Sequence, residues 1–198
     1  MSKREIILDL ETTGLCVKDG HRITEVGCIE MIDGVQTGHK LHLYINPERD
    51  VPEFITELTG LTEKFLSDKP VFADVAQKIR DFIGDDTIVI TCRVKDSYTL
   101  DIAFLNAELE KACVTPALKD KQWLNVRLWG EAMFDTYDEA RLDSMLDHYG
   151  VDRSKRDDTG HSALLDAQLL AEIYPKLKAD YLAFKKKGTK PAPPKPKR

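Results

Sequence analysis

Asp9 and Glu11 stand two residues apart in an aliphatic stretch, Glu5-Ile-Ile-Leu-Asp-Leu-Glu11. At strand spacing both carboxylates leave one face, while Leu8 and Leu10 leave the other. Two carboxylates side by side at the mouth of a sheet suit a divalent cation. The chain holds 34 acidic residues, however, so an acid-x-acid pair is common by chance and equally describes a solvated face. What sets this pair apart is its context, because the stretch runs directly into Thr12-Thr13-Gly14-Leu15, a tight turn.

The elements that would have to position these groups follow from periodicity. Residues 5–11 read as a strand, and 23–32 and 36–45 as two more, joined through the hairpin signal Asp33-Gly34. After Asn46-Pro47 and Val51-Pro52 come a short helical segment near 53–58 and a clearer helix over 71–82, then a strand over 87–91. Helices are expected over 101–113, over 141–149 with Gly150 ending it, and over 162–184, whereas 123–134 fits strand and helix alike. A β-meander followed by alternating helices and strands predicts an α/β fold, a mixed sheet with helices on its faces.

Composition narrows the class. At 198 residues and 42% hydrophobic content, one compact domain with its own core is expected. Cysteines at 16, 28, 92 and 113 form no C-x-x-C pair, and no apolar segment follows the polar start Met1-Ser-Lys-Arg-Glu5. That reads as a reduced, cytoplasmic protein with no membrane association. The last 14 residues hold seven Lys/Arg and no acid, which leaves 22 basic against 34 acidic residues in 1–184. So acidic a body meets a phosphate backbone poorly unless cations supply the positive charge. The expected organisation is a domain over 1–184 and a disordered, basic, Lys/Pro-rich tail over 185–198.

Three stretches, in order, resemble the motifs of the DnaQ-like 3′-5′ exonucleases with an Asp-Glu-Asp-Asp-His site. Asp9-Leu-Glu-Thr-Thr-Gly-Leu15 resembles the first, Asp101-Ile-Ala-Phe-Leu-Asn-Ala-Glu-Leu109 the second, and His161-Ser-Ala-Leu-Leu-Asp166-Ala-Gln-Leu-Leu-Ala171 the third. Residues 65–76 and 142–174 are also similar to the epsilon-type members of that family, the proofreading subunits of bacterial DNA polymerase III.

The resemblance implies a ribonuclease H-like fold with a five-stranded sheet. It also implies a two-metal 3′-5′ exonuclease that releases nucleoside 5′-monophosphates from DNA 3′ ends in proofreading or repair. Asp9, Glu11, Asp101 and Asp166 would hold two divalent cations, Mg²⁺ or Mn²⁺, whose charge also offsets the mutual repulsion of four carboxylates. His161 would be the general base, an imidazole being suited to proton transfer near neutrality. In the turn, the Thr13 and Gly14 amides are candidates for the terminal 3′ hydroxyl or phosphate, with Thr12 beside them. Leu15 is a candidate for packing on the last base, and Phe104 either stacks on a base or belongs to the core. The implied partners are a nucleic acid 3′ end, with single-stranded DNA favoured, and a DNA polymerase catalytic subunit.

The sequence departs from the family pattern in places. Residues 91–100 form a segment five longer than usual before the second-motif Asp, so counting from the strand points to Asp96 and counting from the helix to Asp101. Thr59 stands where His is common, Ser162 where Gly is usual, and Asn125-Val126 where Asp-Thr or Asp-Ser is common. Two alternatives share these residues: a 3′-5′ exoribonuclease of the same superfamily, and a catalytically impaired module that binds 3′ ends or a polymerase.

Overall fold

The computed structural model describes residues 2–90, 94–95, 98–115, 118, 123–134, 138–154, 156 and 160–188. Strand β1 (Arg4–Thr12) is the middle of a five-stranded mixed sheet. It pairs antiparallel with β2 (Ile23–Ile32), which pairs antiparallel with β3 (Val35–Tyr44). The β2–β3 turn is Asp33-Gly34, with φ of 51° and 81°. Two successive positive φ values match the two-residue hairpin turn whose twist suits antiparallel strands. After α1 (Glu53–Thr59), α2 (Glu63–Leu66) and α3 (Phe72–Ile83) the chain re-enters the sheet as β4 (Thr87–Ile90), parallel to β1.

Beyond β4 lies a two-stranded ladder of β5 (Val94–Lys95) and β6 (Tyr98–Thr99) that hydropathy did not announce, in keeping with the extra length of this segment. Asp96 falls outside the described residues. Helix α4 (Leu100–Lys111) follows. The ambiguous stretch 123–134 contains both structures in turn: β7 (Trp123–Asn125), parallel to β4, and α5 (Arg127–Met133). Then come α6 (Leu142–Tyr149) and the long α7 (Ala163–Lys187). Helix α7 ends on Gly188 in the left-handed conformation, three residues later than periodicity suggests. Lys185, Lys186 and Lys187 form its last turn, where cations favour the helix dipole. The rest of the expected tail, 189–198, lies outside the described residues.

Because β1 is central, its two faces feed two cores. Ile6, Leu8 and Leu10 pack with α3 and α4, whereas Ile7 packs with α5, α6 and α7. The odd-numbered face therefore looks at α7. Near its start, Glu5 accepts hydrogen bonds from Tyr174 Oη at 2.8 Å and Lys178 Nζ at 3.0 Å, both on α7. Near its end it presents Asp9 and Glu11. The α/β sheet with helices on both faces is thus as expected from the sequence. Among the described residues, no helix is long and apolar enough to cross a membrane.

Candidate active site and metal centre

Each candidate ligand sits where an element begins or ends. Asp9 and Glu11 occupy the C-terminal half of β1, while Asp101 and Asp166 lie in the first turns of α4 and α7. A fifth carboxylate, Glu25, faces Glu11 across the β1–β2 ladder. Asp101, Asp166 and Glu25 are buried. Burial, followed by the charges of Asp166, Asp101, Glu11 and Glu25, pushes the Asp9 carboxyl well above the usual carboxylate range. Burial pushes Glu11 up as well, helped by Asp166, Glu25 and Asp101 and opposed by the guanidinium of Arg156. Five carboxylates that raise one another's proton affinity form a site short of positive charge. The donor set fits what would supply it: hard carboxylate oxygens with one imidazole suit Mg²⁺- or Mn²⁺-like ions. Within it, Glu11, His161 and Asp166 each offer a ligand atom within 4.8 Å of the others.

His161 is placed by two surfaces at once. Its amide donates to the Leu58 carbonyl at 2.9 Å, at the end of α1. The next residues dock on β2: Ser162 Oγ donates to Glu25 Oε1 at 2.9 Å, and a Cβ at Gly27 would run into the Ala163 backbone. Gly27 thus lets the start of α7 lie directly on β2, opposite Asp9 in the β1–β2 register. The Ser162 hydroxyl, in place of the family's usual glycine, shares Glu25 Oε1 with His42 Nε2, which lies 2.7 Å away. The imidazole of His161 stays partly exposed, with Nδ1 3.4 Å from Asp166 Oδ2.

Arg156 is the cation of this cluster. Its Nε donates to Asp166 Oδ1 at 2.6 Å and its Nη2 to Asp166 Oδ2 at 3.1 Å. Nη1 reaches Asp143, and Nη2 lies 2.9 Å from His161 Nδ1. Burial alone would lower the guanidinium's pKa, but its bonds to Asp166 and Asp143 outweigh that and raise it.

The turn after β1 corrects two expectations. The Thr13 amide already donates to the Arg22 carbonyl at 2.9 Å, and Thr13 Oγ1 accepts from the Arg22 amide at 3.0 Å. Thr13 is fully buried, so it builds the turn and its amide is not open to a 3′ end. Thr12 Oγ1 donates to the Gly14 carbonyl at 2.6 Å. Gly14 owes its place to the His21 ring, which fills the space a Cβ would need. Leu15 projects outward, 70% exposed. Phe104, by contrast, is 1% exposed and packs in the core with Leu105 and Ile79, which removes it from the substrate-contacting set. Thr59 Oγ1 donates to the Ile55 carbonyl and accepts the Leu61 amide, finishing α1. Asn125 Oδ1 accepts the Arg127 amide and starts α5.

Sequence reasoning missed Glu25 and Arg156. Glu25 had a signal, a charge inside the otherwise apolar run Ile23-Thr-Glu-Val-Gly-Cys-Ile29 opposite the acidic end of β1. Arg156 had none, since Arg153, Lys155 and Arg156 are equivalent until the chain folds.

Comparison with known proteins agrees with this geometry. A DNA polymerase III subunit epsilon from Rickettsia felis is 41% identical over 178 residues, covering 89% of this chain and 74% of that protein. Two solved structures share the fold. The nuclease domain of 3′hExo, a DEDDh family member bound to rAMP, superposes with a TM-score of 0.70 at 22% identity, covering 90% of this chain and 92% of that one. E. coli Exonuclease I in complex with a dT13 oligonucleotide gives 0.73 at 14% identity, covering 93% and 43%. The sequence model of the exonuclease family RNase_T matches residues 6–174, and on that match, which spans all three carboxylate motifs, the chain belongs to the RNase_T exonuclease family.

Proposed function

We propose that this chain is a two-metal 3′-5′ exodeoxyribonuclease that trims DNA 3′ ends in proofreading, with Asp9, Glu11, Asp101, Asp166 and His161 as its machinery. The observation that carries the assignment is the convergence of carboxylates from β1, α4 and α7 beside one partly exposed imidazole. Asp9, Glu11, Asp101 and Asp166 would hold the two divalent cations, Mg²⁺ or Mn²⁺. When bound, those ions supply the charge that draws the scissile phosphate into an acidic body, lowers the cost of deprotonating a water and steadies the leaving 3′ oxygen.

The remaining roles belong to the chain. His161, held by Leu58 and by the docking of α7 on β2, accepts the proton of the attacking water through a ring nitrogen. The water oxygen joins phosphorus, the bond to the 3′ oxygen breaks, and a nucleoside 5′-monophosphate leaves. Leu15, exposed beside the turn, offers an apolar surface to the terminal base, and the Gly14 backbone lies alongside it. Single-stranded DNA is the favoured substrate, and a polymerase catalytic subunit, as for the epsilon relatives, is the partner to seek. The domain would span 1–184 with the basic tail outside the catalytic body.

The test is a 5′-labelled single-stranded DNA and its RNA twin incubated with Mg²⁺, alongside EDTA and Asp9→Ala controls. A DNA ladder shortening from the 3′ end, absent in both controls and faster than on RNA, is the expected result. Faster RNA trimming would reassign the substrate. No product from folded protein, with Mn²⁺ also tried, would overturn the reading in favour of a module that binds without cutting.

A further inference from the structure

We propose that Arg156 is a latch on the site: its guanidinium sits on Asp166 where a cation's charge is needed and ties up His161 Nδ1, so that loading the site and freeing the base are a single event. The inference rests on the reading of Asp166 as an ion ligand and His161 as the base.

Three observations carry it. First, the contacts are specific and complete, with both oxygens of Asp166 accepting from one guanidinium at 2.6 and 3.1 Å while Arg156 is 8% exposed. A planar fork of this kind holds a carboxylate more strongly than a single donor does. Second, arginine only donates. The His161 nitrogen 2.9 Å from Nη2 must therefore be the acceptor, and its lone pair is occupied in this arrangement. Third, Arg156 has somewhere to go. Its Nη1 already reaches Asp143 in the first turn of α6, whose side chain is 41% exposed, so release of Asp166 keeps one ion pair intact.

A divalent cation arriving at Asp166 carries charge of the same sign as the guanidinium and repels it at contact distance. The two cannot share the carboxylate on equal terms. Arg156 swings toward Asp143, and the His161 lone pair it held becomes available to water. Before loading, the same guanidinium keeps the acidic cluster together, which makes Arg156 a positioning residue. The alternative is a fixed brace that orients Asp166 in both states, and the two roles predict opposite changes in ion affinity.

The experiment titrates Mn²⁺ into wild type, Arg156→Gln and Arg156→Lys by calorimetry, and follows the ¹⁵N signals of the His161 ring as Mg²⁺ is added. Asp9→Asn marks the ion site. Arg156→Gln should bind Mn²⁺ about tenfold more tightly than wild type, an ordinary size for a coupling between neighbouring sites. Arg156→Lys, which keeps the charge, should stay near wild type. The His161 signals should shift on Mg²⁺ addition in wild type and already be shifted in Arg156→Gln.

Unchanged or weaker binding by folded Arg156→Gln overturns the latch and leaves the ion site standing. Absence of Mn²⁺ binding by wild type overturns the ion site, and the latch with it. Should Arg156→Gln fail to fold, a wild-type His161 ring that does not respond to Mg²⁺ overturns the latch by itself.

Discussion

Glu5 lies near one end of β1 and Asp9 and Glu11 near the other, all on the face toward α7, yet their surroundings are opposite in sign. Glu5 is 1% exposed and accepts from Lys3 Nζ at 2.7 Å, Lys178 Nζ at 3.0 Å and Tyr174 Oη at 2.8 Å. Burial works to raise its pKa, but those three hydrogen bonds outweigh burial and hold the carboxyl below its usual range. Asp9 and Glu11 have carboxylates for neighbours and are pushed up. The same residue type on the same strand face is thus a finished structural joint at one end and an unsatisfied electrostatic demand at the other. A buried acid is informative about function only when its counter-charge is missing.

The sharpest way to break this contrast is Asp9→Asn. Exonuclease activity should fall below detection while the urea midpoint in EDTA stays level or rises, because a repelled charge has been removed. Loss of stability here would mean that Asp9, like Glu5, is a joint. His161→Gln comes next, with kcat lowered by about 10²- to 10⁴-fold and Mn²⁺ binding retained, as removal of a general base predicts. Gly27→Ala attacks the shared scaffold. The added methyl meets the Ala163 backbone, so a destabilisation of about 1–3 kcal/mol is expected. A displacement of His161 by about 1 Å would cost on the order of 100-fold in turnover, measured on the same preparation. Glu5→Gln should do the reverse of Asp9→Asn, costing about 1–3 kcal/mol in urea unfolding with turnover unchanged.

The smallest effect is the pH slope, and its sign differs between the two ends. Glu5 has a lowered folded pKa, so the stability it contributes is present above the ordinary glutamate range and is lost as pH falls through the folded value. Asp9 and Glu11 have raised folded pKa values, so between the ordinary carboxylate range and those values the folded state holds the extra protons. Stability then declines as pH rises through that window. Urea midpoints taken against pH in EDTA should therefore lose their high-pH decline in Asp9→Asn and their low-pH decline in Glu5→Gln. Saturating Mg²⁺ should flatten the first and leave the second.

Much of this could be read before folding, for local reasons. The Asp33-Gly34 turn needs no tertiary partner, and the β1 alternation already separates Asp9 and Glu11 from Leu8 and Leu10. The first residues of α4 and α7 were recognisable because their motifs sit at helix starts. What stayed hidden depended on long-range contact. The Thr13 amide looked open until the Arg22 carbonyl nine residues away closed on it. Phe104 resembled a stacking residue until α4 turned it into the core. The identity of the arginine beside Asp166 required α6 and α7 to come together around it. The one-turn α2 and the two-residue strands β5 and β6 are too short to leave a periodic trace.

Helix α7 touches both ends of β1, and that makes the two elements a matched pair of rulers. From Glu5 to Glu11 the strand advances about 20 Å at 3.3 Å per residue. From Asp166 to Lys178 the helix returns about 18 Å at 1.5 Å per residue. Twelve helical residues are thus gauged against six extended ones, with Tyr174 and Lys178 fixing one end and Asp166 the other. One residue inserted between them would turn everything beyond it by about 100°. Either Lys178 would miss Glu5 or Asp166 would miss the cluster. The length of this segment is therefore a dimension of the active site, although most of its residues never approach the chemistry.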